Sequence, residues 1–549
     1  MKKNRIIQVV AVFLAIIISG CAVYFREQKI LKNDIKLGEK YFLDGEYNKS
    51  ISQYEKVFQK DKKNPLWNAK ISEVYSVKGD INKSKEYISK VKKMNYKENE
   101  NVINYIVFTE FMNKDYEKAL KDGEDGLKLY PKNKDLIKNM FSVYMANNKL
   151  DEAKNIIKTY KVDKDSAYDI AQYANMLIIS GNKKVGFEKL KDAYKIDKDE
   201  IKIYDIISEM SVYDFDETLQ NITYLSQKNP KDIIYKTWLA KVYSLTKETS
   251  ESALKILDDK SMDKESIEVQ ILKAISYENI GESNKSNKIM MQLLDKYPND
   301  YRVLHILGWY FLKKGDTGKA KMYCEKSIDK NDKYSDNYGY LMPEILKKDK
   351  DKKNQKSYFR KALFLEPYNY HLMLNAADFY WQVENDTKKA IQYYDFAQII
   401  RPNEAEIKYN MALINLSQNK NKEAIKILKE CIKIDETVPK YSRTLGTIYM
   451  IQANYKEAIK AIKDAYDADE NDILTLNNAG AYYIIGEGDI EKGYYNLLKA
   501  YEGLKLSDKY DEYTRKSITE NYKKSKDVLT KYHNAEAATI KVPDFVLFY

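Results

Sequence analysis

Glycine and proline are scarce in this chain: 19 and 9 of 549 residues, together about 5%, less than half the usual share. Few turn-formers leave little material for sheets with tight hairpins, and point to many helices joined by short turns. Cysteine is scarcer still. Three cysteines exclude a disulfide framework, and three histidines leave little for a histidine metal site. An excess of one charge sign is missing as well. The balance of 93 cations against 82 anions, +11 in all, is too dilute for nucleic-acid binding without a local cluster. With 44% hydrophobic and 32% charged residues the bulk is neither disordered nor polytopic in a membrane. What is abundant is tyrosine, 49 residues. The length exceeds one compact core, so several domains or a repeat array are expected.

The N-terminus carries the one long hydrophobic run. Met1-Lys2-Lys3-Asn4-Arg5 is cationic, and Ile6 to Phe25 is apolar except for Gln8, Ser19, Gly20 and Cys21. Two readings stand side by side for residues 1–25. Ile18-Ser19-Gly20-Cys21 resembles a bacterial lipobox, in which Cys21 would carry the lipid. Alternatively the 20 residues form a signal anchor, just long enough to span the hydrocarbon core. In both, the preceding positive charge keeps the N-terminus inside and puts the rest on the extracytoplasmic side of the cell membrane.

Beyond the anchor the chain repeats itself. Gly45 and Gly79, Tyr41 and Tyr75, Gly281 and Gly315, and Ala424 and Ala458 are each 34 residues apart. Fourteen rows starting between 31 and 473 align 31–506. Column 8 holds small residues (Gly38, Ser72, Ala174, Gly308, Gly446, Gly480), and so does column 20 (Ser50, Ser84, Ala119, Ala320, Ala458). Column 11 is aromatic (Tyr75, Phe311, Trp381, Tyr449), column 15 is Gly or Asn, and Pro131, Pro230, Pro298, Pro367 and Pro402 share column 32. Each row therefore predicts two amphipathic helices of about 12 to 15 residues. Small residues allow the pair to approach closely, and the column 15 residue supplies a left-handed turn. The column 11 aromatic is expected in the wedge between one pair and the next. A single pair cannot bury its apolar face, so neighbours must stack. Irregularities are expected in row 336, with Pro343 in its first helix, and in row 473, which slips by one residue near Gly488.

At this spacing the sequence resembles the tetratricopeptide repeat family, in a membrane-anchored or lipoprotein form. The clearest units are Asp300–Asp332, with Leu307-Gly308, Phe311, Gly315-Asp316 and Ala320, and Tyr441–Ala465. The resemblance implies an all-α, right-handed superhelical solenoid of about fourteen helix-turn-helix repeats over 31–506. A charged capping helix at 507–534 and an apolar tail at 535–549 follow. It also implies a concave groove lined by the first helix of each pair, and work done by holding proteins or peptides without catalysis. On the family's groove-lining columns stand His305, Trp309, Tyr340, Asn375, Phe379, Tyr409, Arg443 and Asn477. That mixture of aromatic, amide and guanidinium groups suits an extended peptide. The Lys/Asn pattern with which some members clamp a C-terminal carboxylate is absent.

Other chemistry finds no support. His305, His371 and His533 form no metal motif, there is no phosphate loop or nucleophile elbow, and no cofactor is expected. Carboxylates are expected on solvated faces. Cys324 and Cys431 read as buried small hydrophobes. The run Lys347 to Lys353, with Lys356, Arg360 and Lys361, is either a solvated loop or a contact for an anionic surface. The tail from Thr539 to Tyr549 either folds back onto the cap or groove, or is an exposed docking peptide. Two functions follow: a membrane-tethered scaffold for partner proteins, or an envelope protein recognising a peptide or polysaccharide ligand.

Overall fold

The computed structural model describes residues 29–534, apart from 214, 351 and 508, and residues 541–549. The candidate anchor 1–25, including Cys21, lies outside the described residues. Among the described residues no helix is long and apolar enough to cross a membrane.

The described residues are helical, with no strand among them, and form fourteen successive helix pairs closed by the single helix Glu512–His533. The helix at 29–43 followed by Tyr47–Lys60 is the first pair, and Ile473–Tyr482 with Ile490–Lys505 is the last. The fold is an all-α helix-turn-helix repeat solenoid. It divides into two compact units, one ending at Ala376 and the other comprising Ala377–Tyr549.

The column residues explain the pairing. Ser50, Ser84, Ala119, Ala153, Ala320, Ala424 and Ala458 are all fully buried where the second helix crosses the first. The Ser50 hydroxyl donates to the Gly38 carbonyl (2.9 Å), and Ser72 donates to the carbonyl of Ser84 (2.8 Å). At Gly480 an added Cβ would lie 2.8 Å from the Gly493 carbonyl oxygen, so the two backbones meet where only glycine fits. Column 15 is left-handed in most rows. Gly315 has φ 82°, the Asp316 amide returns to the Phe311 carbonyl (2.9 Å), and Asp316 then caps the next helix through the Lys319 amide (3.0 Å). Lys114, Lys350 and Ala453 adopt positive φ at the same column without being glycine or asparagine. The repeat geometry imposes the turn whatever the residue.

Two expectations need correction, and the two expected irregularities find their cause. The column 11 aromatics fasten the two helices of their own pair: Phe311 stacks on Tyr323 (5.4 Å between centroids), and Tyr75 meets Tyr87 at 5.4 Å. Pro343 does not break its helix, because the π-helical turn Asn337–Leu341 precedes it and places it at the start of Met342–Lys348. Another π turn, Tyr483–Glu487, absorbs the one-residue slip near Gly488. The other correction concerns the carboxylates, many of which are not solvated. Glu73, Glu110, Glu209, Glu268, Asp336 and Glu366 are all buried.

Those carboxylates lie inside the first unit, where the chain fills its own interior. Helix Lys352–Leu365 contacts the first helices of the first three repeats. Arg360, buried, reaches Glu73 at 2.8 Å, and Lys361 reaches Glu39 at 2.9 Å, so this part of the cationic run is neither loop nor surface. Phe364 stacks on Tyr105 (4.4 Å) and stands edge-on to Phe108 (5.1 Å). Lys138 donates to the Leu365 carbonyl and Ser142 to that of Pro367, both at 2.9 Å. A small cavity of about 30 Å³ lies between Glu39, Lys70, Glu73, Tyr105, Arg360 and Lys361. Further along, the fully buried Lys202 contacts Asp336 (3.0 Å) and Glu366 (2.9 Å).

Burial pushes the Glu39, Glu73 and Asp336 carboxyls up, and the cations beside each decide the outcome. At Glu39 the paired Lys361 and Lys70 outweigh burial and hold the group well below the carboxylate range. At Glu73 burial wins over Arg360 and Thr109, and at Asp336 it wins over Lys202, lifting that group to about 6.

Candidate functional site: a groove holding an extended segment

In the second unit the last repeats present a different surface. Helix Pro439–Ile451 carries Arg443 and Thr447 one turn apart, Ile473–Tyr482 carries Asn477 and Asn478, and Glu512–His533 carries Asn521 and Lys524. Against these three helices lies residues 541–549, an extended segment without secondary structure. Its main chain is held by side chains. Asn521 accepts from the Val546 amide (3.0 Å) and donates to the Val546 carbonyl (2.8 Å). Two residues on, Asn478 accepts from the Phe548 amide (3.0 Å) and donates to its carbonyl (2.7 Å). Thr447 donates to Phe548 O (2.7 Å), Asn477 to Val546 O (2.9 Å), Arg443 to Tyr549 O (3.2 Å) and Lys524 to Asp544 O (2.7 Å).

The spacing follows from extended backbone. In a strand the N–H and C=O of one residue point the same way, and those of the next point opposite. Amides gripping residues 546 and 548 therefore require an extended segment in a fixed register. Side chains alternate accordingly: Phe545 and Leu547 pack with the cluster of Tyr409, Tyr441 and Leu445, while Phe548 packs with Ile473, Leu476, Leu504 and Ile518.

The amides are prearranged by one another. Asn521 donates to Asn477 Oδ1 (2.9 Å), Asn477 to Asn478 Oδ1 (3.2 Å), and Asn478 to the Thr447 hydroxyl (2.8 Å). Asn477, Asn478 and Asn521 are each 0% exposed. Every amide proton of this trio is used only when a main chain lies in the groove, and a buried amide left unmatched is costly. Arg443 is oriented by an ion pair with Asp472, which also caps helix Ile473–Tyr482.

The eight residues on the groove columns fall into two groups. His305, Trp309, Tyr340 and Asn375 belong to the first unit and are engaged within it. Trp309 donates to His305 Nε2 (3.1 Å), so the imidazole proton sits on Nδ1 and is donated to Asn337 (2.8 Å). Tyr340 donates to Glu209 (3.3 Å) and Asn375 to the Gly339 carbonyl (2.8 Å). Phe379, Tyr409, Arg443 and Asn477 belong to the second unit. Phe379 is buried against Tyr380, and the Tyr409 hydroxyl meets that of Thr444 at 3.1 Å. Only Arg443 and Asn477 of the eight touch the segment by hydrogen bonds among those described. Asn478, Asn521, Thr447 and Lys524 make the other hydrogen bonds to the segment, and of these Asn478, Asn521 and Lys524 lie outside the groove columns. For Asn478 a signal was present: the adjacent amide pair inside the otherwise apolar Ile473-Leu474-Thr475-Leu476-Asn477-Asn478-Ala479-Gly480-Ala481-Tyr482.

Fold and groove together define a helical-repeat scaffold. Tetratricopeptide repeats are found in the chain: family models of that description match 268–300, 301–332, 405–438 and 444–472. No curated protein matches the sequence. Among solved structures it is similar to the Naa15/Naa10 complex bound to HypK-THB (12% identity, covering 92% of this chain and 97% of that one, TM-score 0.40). It is similar also to yeast Tom70 (13%, 94% and 100%, 0.38) and to Cut9-Hcn1 of the APC/C (16%, 89% and 95%, 0.34). These are likenesses of fold alone.

Proposed function

We propose that this protein is a non-catalytic interaction scaffold, tethered to the cell membrane by its N-terminal segment with the repeats on the extracytoplasmic side. Its second unit holds an extended segment of a partner protein by the main chain. The observation that carries the reading is the Asn477–Asn478–Asn521 amide trio, fully buried and matched to extended backbone. Main-chain recognition favours a peptide over a polysaccharide. Proteins with tetratricopeptide repeats bind protein or peptide partners, which supports the same view. The membrane half rests on the cationic Met1–Arg5 and the apolar run ending near Cys21.

Two measurements test it. Peptide display against the chain shortened to residue 540 should select extended segments, and selection should fail against the same protein carrying N478A and N521A. Equal selection by both proteins would remove the groove from the reading. For the tether, mass spectrometry of the membrane-fraction protein should find either a lipid on Cys21 or an intact Met1 with the apolar run. Recovery of the full protein in the soluble fraction would overturn that half.

A further inference from the structure

Resting on that reading, we infer that residues 541–549 are a built-in competitor: a segment seated in the groove in cis, which a partner must displace. The structure separates this role from that of a structural cap. Capping is already done by helix Glu512–His533, which buries Ile518, Ser525 and Val528 against the last pair. The segment adds no element of its own. Its described main-chain hydrogen bonds all go to side chains, and Phe545, Val546, Leu547 and Phe548 are only half-buried. A hold made of side-chain amides and half-buried side chains can be exchanged for another main chain of the same register without disturbing the helices.

The same contacts specify the competitor's rival. Residues 546 and 548 must each offer an N–H, which excludes proline at both positions. Residues 545, 547 and 548 fill apolar ground beside Tyr441 and Leu445 on one side, and Ile473 and Leu504 on the other. The partner segment is therefore extended and apolar, with an aromatic-any-aliphatic-aromatic order, as in Phe545-Val546-Leu547-Phe548. A short tether holds the cis segment at an effective concentration on the order of millimolar, so an external peptide binding in the micromolar range is held off by about tenfold or more.

The probe is a fluorescein-labelled nonapeptide of the sequence Lys541–Tyr549, titrated by anisotropy into purified full chain. Parallel titrations use the chain shortened to residue 540 and the full-length variant V546P, which keeps every residue outside the segment should the shortened form fold poorly. Binding by either altered protein about tenfold or more tighter than by the full chain supports the gate. Equal binding by all three overturns the gate and leaves the peptide groove standing. No binding by any of them, with helical melting unchanged by circular dichroism, overturns the groove reading as well.

Discussion

Asn478 grips Phe548 twice: its Oδ1 receives the Phe548 amide at 3.0 Å and its Nδ2 donates to the Phe548 carbonyl at 2.7 Å. The residues are 70 positions apart, and the amide is fully buried. Replacing Asn478 with alanine removes both bonds and leaves the Thr447 hydroxyl without its donor. The expected loss is about 1 to 3 kcal/mol of docking. Amide hydrogen exchange at Phe548 should accelerate by roughly tenfold to a hundredfold, while exchange in helix Tyr301–Lys313 stays unchanged.

His305 gives the first unit a pH dependence. Burial pushes its imidazole down to about 4, only partly offset by the bond to Asn337. A proton added at Nε2 would also break the bond from Trp309. The unfolded value is near 6.5, so below it the unfolded state binds more protons and stability falls with pH down to about 4. The group's contribution, about 3 kcal/mol, is present above pH 6.5 and lost by pH 4. H305Q should flatten the stability profile in that window, measured by urea unfolding at several pH values.

Glu268 works in the opposite direction. Burial lifts it to about 7, against the pull of Lys241 at 3.8 Å. Its folded value lies above the unfolded one, so its stabilisation is present below the unfolded value near 4.5 and is lost as pH rises through about 7. E268Q should melt higher than the parent at pH 8, with the difference shrinking at pH 5.

The ion pair between Arg360 and Glu73 is buried on both sides. R360M leaves Glu73 without its cation and should cost about 3 to 5 kcal/mol, whereas R360M with E73Q should recover much of that loss. Denaturant midpoints of the two variants decide it. Equal midpoints would mean that the pair contributes nothing as a pair.

Ala453 holds φ 55° at a column filled elsewhere by Gly315 or Gly79. A453G removes the left-handed penalty of about 1 to 2 kcal/mol, less the entropy glycine costs in the unfolded chain. A small rise in melting temperature is expected by calorimetry.

The amino-acid sequence by itself determined the repeating unit. Its period, the small residues at columns 8 and 20, and the left-handed turn at column 15 depend on neighbours within one pair, so they repeat visibly along the chain. Even the slip near Gly488 was legible, because a one-residue excess must be absorbed locally, here by a π turn. Contacts between distant repeats leave no such trace. Nothing periodic announces that Arg360 meets Glu73, or that Lys202 finds Glu366 164 positions away. For the groove, sequence reached Arg443 and Asn477 because they sit on a repeating column. Asn521 belongs to a helix outside the repeat, and Asn478 lies one position off the column. Tertiary structure decided their role, because an amide becomes a backbone reader only when another segment of chain is brought within hydrogen-bonding distance of it.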